Sequence, residues 1–328
     1  FPFYKHHLRN LGFDVVDWND IGDDMQFDII VGNPPYQDQG GQNTLYPKIY
    51  AACVPLLKPQ GHMCMVTPPA ILPGLWGVKN PDGIRMPAPI NISRVTVGNK
   101  VKSHFPQIGV DICHWWLTNQ PSDNQCVPVD VNGRIVNVST PLIAKHTHGD
   151  AALTQQILEK CFAFNINYYK ITSADHGKSA QPSSRGRDLA VEAISQDGSL
   201  KTRAIKWLKQ HPHYGSPKVM LAMYGRAAVV DRTHKLVSAA QDRSNGLSGH
   251  NVITVLTAND QVSDNLVKLL DSNLQKFLAW ATADSRSPYV NFLHHFRGVD
   301  CSKSWTDKSL YKHFGLTPSE IAHVESNI

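Results

Sequence analysis

Along the first 70 residues, apolar positions fall in short blocks separated by turn-forming residues. Phe27-Asp28-Ile29-Ile30-Val31 is a nearly continuous apolar run closed by Gly32 and an Asn-Pro-Pro turn. That is the pattern of a strand buried on both faces, with a loop at its carboxyl end. Before it, residues 5–11 predict the end of a helix closed by Gly12. Phe13–Val16 predicts a short strand running into Asp17-Trp18-Asn19-Asp20. After it, Leu45–Leu57 has helical spacing, with Pro47 suited to a first turn and Pro55 implying a kink near the end. Lys58-Pro59-Gln60-Gly61 reads as the stop, and Met63–Val66 as the next apolar strand. Strand, helix, strand with short connections predicts a parallel sheet with crossover helices.

Further on, residues 73–91 are rich in Pro and Gly and predict a long ordered loop or lid. Arg94–Val97 and Gly109–Leu117 read as strands, and 127–138 as strand-like. A boundary near residue 145 divides the chain into 1–145 and 146–328. In the second part, Ala152–Phe162 predicts a helix, 172–188 a polar loop, Val219–Tyr224, Ala227–Asp231 and Val252–Leu256 strands, and Val262–Trp280 one amphipathic helix. A last helix starts near Ser319-Glu320. The second part is therefore expected to be mixed α+β.

Charge sharpens that division. Residues 1–150 hold 11 Lys and Arg against 12 Asp and Glu, and the remainder holds 21 against 15. A near-neutral part followed by a basic one suits a catalytic domain followed by a polyanion-binding domain. The six cysteines are scattered without a Cys-x-x-Cys pair, and the adjacent histidine pairs lack metal-ligand spacing, so neither a zinc site nor a disulfide framework is expected. No apolar run reaches membrane-spanning length, and the first residues do not form a secretory signal. A cytoplasmic location is expected. Without an initiator Met, the natural polypeptide is expected to begin further upstream.

The chemistry concentrates at Asn33-Pro34-Pro35-Tyr36. Two consecutive prolines stiffen the backbone and remove two N–H donors, so carbonyls project from the loop. An Asn side-chain carbonyl beside such a backbone carbonyl presents two converging acceptors, which a planar NH2 group satisfies. Tyr36 adds a flat ring able to stack on the base carrying that amine.

Residues Phe27 to Tyr36 resemble the fourth motif of S-adenosylmethionine-dependent amino-methyltransferases, particularly gamma-class N6-adenine DNA methyltransferases of restriction-modification systems. The resemblance implies an α/β fold: a partial Rossmann-like methyltransferase sheet, then a mixed α+β target-recognition domain. It implies a flipped adenine whose amino group is held by Asn33 and Pro34, with Pro35 completing the loop and Tyr36 stacking on the base. Asp17-Trp18, sixteen positions before Asn33, would hold the adenine of S-adenosyl-L-methionine. His104 to Val110 and the strand after it resemble the eighth motif, where a second aromatic residue stacks on the base. Trp115 and Trp116 are the candidates; strand neighbours point to opposite faces, so at most one can serve.

One departure matters. The glycine-rich cofactor loop of the family is not in this sequence, and neither is the acidic residue that holds the ribose. An upstream segment, or a separate subunit, is expected to carry them. Double-stranded DNA is the implied partner, with Lys178, Arg185, Arg187, Arg226, Arg232, Lys235 and Arg243 as candidate contacts. The segment from Trp305 to Thr317 resembles the closing part of some long restriction-modification methylases. Two other readings stay open: a non-catalytic DNA-specificity subunit or fragment with an incomplete methyltransferase domain, and a protein-glutamine or ribosomal RNA adenine methyltransferase. The long basic second part favours DNA over the latter.

Overall fold

The computed structural model describes residues 8–12, 14–22, 24–38, 44–75, 91–98, 101, 103–108, 111–121, 126–139, 143–144, 150–163, 170–172, 180–182, 188–194, 200–207, 216–222, 239–241, 247–248, 252–282 and 296–328. Its first part is an α/β unit around a six-stranded sheet. The strands are β1 (Phe27–Gly32), β2 (Leu57–Thr67), β3 (Asn91–Val97), β4 (Cys113–Thr118), β5 (Val127–Val131) and β6 (Arg134–Val138), in the order β1-β2-β4-β3-β5-β6. β1 pairs parallel with β2 and β3 with β5, while the other three pairings are antiparallel. Four strands thus run one way, and β4 and β6 run against them.

The crossover from β1 to β2 is helix α1 (Tyr46–Cys53) followed by a 3-10 turn at Val54–Leu56. Pro47 sits in the first turn, where its missing N–H costs nothing, and Pro55 marks the passage from α to 3-10 geometry. α1 buries Tyr46, Tyr50 and Cys53 against Met63, Met65, Trp115 and Leu117 of the sheet. The expected stop at residues 58–61 is instead part of β2. It survives as an irregularity, because Phe27 pairs with Leu57 but Ile29 pairs with His62. Gln60 takes a positive φ of 65° to allow this. Gly61 is required there: a Cβ would sit 2.9 Å from the Lys58 carbonyl oxygen and 3.1 Å from that of Phe27.

Three other expectations need correction. Asp14 to Asp17 form no strand, and Trp18–Asp20 is a 3-10 turn. A strand exists through its ladder, and among the described residues none lies beside this stretch. The strand-like 127–138 is a hairpin, turned at Asn132 and Gly133 with φ of 54° and 92°, the two positive values a tight two-residue turn requires. Of the expected loop or lid at 73–91, residues 73–75 belong to helix α2 (Leu72–Leu75), Asn91 begins β3, and residues 76–90 lie outside the described residues.

The second part begins with α3 (Ala151–Cys161), capped by Asp150, whose side chain accepts the Leu153 N–H. Ala151 belongs to the core of the first sheet, whereas Ile157, Leu158 and Cys161 belong to a second core. Two four-stranded sheets follow. One holds β8 (Ala180–Pro182), β9 (Asp188–Ile194), β10 (Leu200–Trp207) and β13 (Leu247–Ser248); the other holds β7 (Lys170–Thr172), β11 (Lys218–Ala222), β12 (Ala239–Gln241) and β14 (Val252–Leu256). The expected polar loop at 172–188 therefore contains β8. The expected single helix at 262–280 is two, α4 (Asp260–Leu270) and α5 (Asn273–Thr282). The break falls at Asp271-Ser272, where the Ser272 hydroxyl accepts the Gln275 N–H and starts the second helix as a cap does. The chain closes with α6 (Asp307–His313) and α7 (Pro318–Glu325), each begun by a reciprocal capping box. The expected Ala227–Asp231 strand lies outside the described residues.

Candidate functional site

β1, β2, β3 and β5 all point their carboxyl ends to one edge of the sheet, and the antiparallel β4 brings its first residue, Cys113, to the same edge. Asn33 to Tyr36 leave β1 at this edge, where open α/β sheets place their ligands. Pro34 is buried and anchors the loop, while Asn33 and Pro35 are exposed. Tyr36 is half-buried against the core beneath α1, its ring edge-on to Tyr46 at 6.3 Å. Its hydroxyl donates to the Asn33 Oδ1 at 3.0 Å. The Asn33 carboxamide oxygen thus already accepts one donor. Burial raises the Tyr36 hydroxyl above its ordinary value, with the Cys113 thiol adding to the effect, so near neutral pH it stays protonated and donating. The Tyr36 carbonyl accepts the Leu45 N–H at 3.1 Å, and Gln37 bridges to Thr44, which ties the loop to the start of α1.

The floor beside this loop is polar but fully paired. Thr67, at the end of β2, is wholly buried; its hydroxyl accepts the Trp115 indole N–H at 2.9 Å, and its carbonyl accepts the Cys113 thiol at 3.4 Å. Trp115 also meets Tyr50 edge-on at 5.4 Å and has no exposed surface. It is a core residue and offers no face to a base. Trp116 is 40% exposed but points from the opposite face of the sheet, against His62, to which its N–H donates at 3.4 Å. Neither tryptophan is brought beside Tyr36. Nothing in the sequence pattern marks Tyr46, Thr67 and Cys113 as the loop's neighbours; that follows from strand register, which a single sequence does not carry.

Asp17 is exposed on coil ahead of the Trp18–Asp20 turn. The seven basic residues expected to contact DNA, Lys178, Arg185, Arg187, Arg226, Arg232, Lys235 and Arg243, all lie outside the described residues. A cavity of about 350 Å³ opens on the face bearing Trp116, lined by Cys64, Arg94, His104, His114 and Asp130 among others. Arg94 is ion-paired there with the buried Asp130 at 2.9 Å. Among the described residues, no group of three His, Cys, Asp or Glu could hold a metal ion, and no helix is long and apolar enough to cross a membrane. All six cysteines are free.

Residues 5–77, which include the whole of β1, its loop and α1, match the family model of the Eco57I restriction-modification methylases. No curated protein sequence matches the chain. Among solved structures, the chain is similar to the type IIL restriction-modification enzyme MmeI, determined in complex with DNA, at 9% identity and a TM-score of 0.41, over 95% of this chain and 54% of that one. The type IIG restriction endonuclease BpuSI is similar at 8% identity and a TM-score of 0.30, over 91% of this chain and 53% of that one. The chain thus spans about half the length of both. Residues 5–77 carry the signature of a restriction-modification methylase.

Proposed function

We propose that the chain is the downstream part of a site-specific DNA methyltransferase of the gamma class, acting on N6 of a flipped adenine in a restriction-modification system. The observation that carries the reading is the loop itself: a carbonyl acceptor on Asn33, beside a buried proline and hydrogen-bonded by the Tyr36 hydroxyl, at the carboxyl edge of a parallel strand pair. Its place inside the matched methylase segment supports the same reading.

In this reading, S-adenosyl-L-methionine supplies an electrophilic methyl group on a sulfonium centre. The chain's own part is to hold the nucleophile. Asn33 Oδ1 and the Pro34 carbonyl accept the two amino hydrogens, which takes the nitrogen lone pair out of conjugation with the ring and turns it outward. As the amine arrives it replaces the Tyr36 hydroxyl on Asn33, and the Tyr36 ring packs on the base. Bound S-adenosyl-L-methionine would give up its methyl to the amine nitrogen, the carbon–sulfur electron pair returning to sulfur, and the amine's spent proton would leave for solvent. Asp17 and Trp18 supply part of the cofactor contact, and an upstream segment or separate subunit lying against β1 supplies the rest. Residues 146–328 form the target-recognition domain; the exchange of one hydrophobic core for another along α3 supports a boundary near 145.

The test is methyl transfer from labelled S-adenosyl-L-methionine to adenine-unmethylated duplex DNA, by the chain alone and by the chain extended to its natural start, with the products digested to nucleosides and weighed. N6-methyladenine from the extended protein is expected. Methyl on cytosine, or on a release-factor glutamine offered in competition, would overturn the adenine assignment.

A further inference from the structure

The acceptor that the proposed reaction needs is already in use. Asn33 and Tyr36 stand three residues apart across Pro34-Pro35, and the Tyr36 hydroxyl donates to Asn33 Oδ1 at 3.0 Å. Neither partner lies within the core: Asn33 is exposed and Tyr36 is half-buried. The carboxamide does not need this bond to be satisfied, because water reaches an exposed carbonyl. The bond instead places a donor of the chain itself on the oxygen that would receive the amine.

The backbone on both sides of the contact is tied. Two prolines precede Tyr36, and Pro34 is buried. On the far side the Tyr36 carbonyl accepts the Leu45 N–H at 3.1 Å, and Gln37 bridges to Thr44. The contact is therefore made and broken by rotation of the Tyr36 side chain rather than by movement of the loop. The ring packs at the margin of the first core and meets Tyr46 edge-on at 6.3 Å rather than stacked upon it. Burial, with the Cys113 thiol adding to it, raises the hydroxyl above its ordinary value, so it keeps its proton near neutral pH. A neutral phenol on a neutral carboxamide makes a bond of ordinary strength, and an arriving N–H can take the place of the O–H at little net cost.

We propose that the Tyr36 hydroxyl is a built-in competitor for the target amine: it occupies Asn33 in the resting loop and has to be displaced before the amine is held. The inference rests on the methyltransferase reading above and adds a regulation of that same site. Ring and hydroxyl then act in opposite directions on the flipped base. The ring offers a stacking surface and favours entry, whereas the hydroxyl opposes entry by the strength of one hydrogen bond. An amino group restores that bond, since it brings an N–H to the oxygen that the hydroxyl leaves. A base edge that presents only a carbonyl restores nothing and sets oxygen against oxygen.

The test is steady-state methylation of adenine-unmethylated duplex DNA by the protein extended to its natural start, comparing the parent with Tyr36→Phe and Tyr36→Leu. Phenylalanine keeps the ring and removes the competitor. The KM for DNA should then fall about two- to tenfold, the range of one neutral hydrogen bond, and kcat/KM should rise with it. Leucine removes the ring as well, and kcat/KM should drop below that of the parent. Thermal melting of all three proteins separates these effects from loss of folding. An unchanged or raised KM in Tyr36→Phe overturns the proposal. So does a fall in kcat at constant KM, the mark of a hydroxyl that positions Asn33 during the reaction instead of blocking it. The parent tells the two failures apart. A parent that forms no N6-methyladenine removes the methyltransferase reading and this inference with it, whereas an active parent whose phenylalanine variant shows no gain in KM removes this inference alone.

Discussion

The two faces of the six-stranded sheet are built from one set of strands and live in different surroundings. On the face beneath α1, Met63, Met65, Val95, Trp115, Leu117 and Val129 are all buried. On the other face, in register with them, Ile29 and Ile135 are about 60% exposed, at 58% and 62%, Val31 is 73% exposed and Trp116 is 40% exposed. Parallel strand pairs occur almost wholly with both faces covered, because their crossover connections lay helices on the sheet. β1 combines an uncovered face with an outer edge that pairs with no strand among the described residues. Unpaired edges of this kind are usually blunted by charge, proline or cover, and β1 has only Asp28, tied to Lys58 at 2.9 Å. The other face is covered over β3 and β5, where Thr96 and Asp130 are buried, and it is at β1 that the proposed upstream segment or subunit would pack.

Removing one tryptophan from each face separates them most strongly. Trp115→Ala should destabilise the chain by about 3–5 kcal/mol, as large-to-small changes in a packed core do, whereas Trp116→Ala should stay within about 0.5 kcal/mol in the isolated chain. Urea unfolding measures both, and equal losses would mean that the faces are not different in kind.

Next in size is Thr67→Val. It leaves the buried Trp115 N–H without its acceptor and should cost about 1–3 kcal/mol by the same unfolding measurement.

Smaller still is Ile29→Lys combined with Val31→Lys. On the uncovered face the pair should change the stability of this chain by no more than about 0.5 kcal/mol per site. In the chain extended to its natural start the same pair should be strongly destabilising, since the covering layer would then bury two charges. A neutral result in both proteins would remove the idea that this face is covered.

Thiol labelling gives the mildest readout. Cys64 lies on the uncovered face and should react with a maleimide in the native chain, while Cys53 and Cys113 on the covered face should not until unfolding. Burial raises the Cys64 thiol above its ordinary value of 9.0. Its labelling rate should therefore keep climbing with pH beyond 9, because the thiolate is the reactive form. Addition of the upstream part should protect it.

Much of this is legible in the sequence, and the exceptions share a cause. The run Phe27 to Val31 reads as a strand buried on both faces, yet Ile29 and Val31 are exposed. The composition of β1 reports the surroundings it is suited to rather than those it has here. Phe13–Val16 reads as a strand for the same apolar reason, and the described part of it is coil because no described neighbour offers a ladder. α1, α3 and β14 are legible nearly to the residue, since caps, prolines and periodicity act locally. The hairpin at 127–138 carries its own signal in Asn132-Gly133, and the break between α4 and α5 carries one in Asp271-Ser272-Asn273; both are short-range turn chemistry outweighed by a longer apolar pattern. For the site, the loop at Asn33 is legible because its chemistry is contiguous. The placement of Trp115 and Trp116 is not, because which face a strand residue occupies depends on what packs against the sheet.

Asn33 stands at the centre of the proposed chemistry. The most direct measurement compares the extended protein with its Asn33→Ala variant in a single-turnover methyl-transfer reaction on unmethylated duplex DNA, with folding of both checked by thermal melting. The expected result is N6-methyladenine from the parent and a fall of at least about a hundredfold in rate for the variant, the usual scale for losing a positioned acceptor at the reacting group. Methyl transfer to adenine that proceeds unchanged without the Asn33 carboxamide would contradict the role given to this loop.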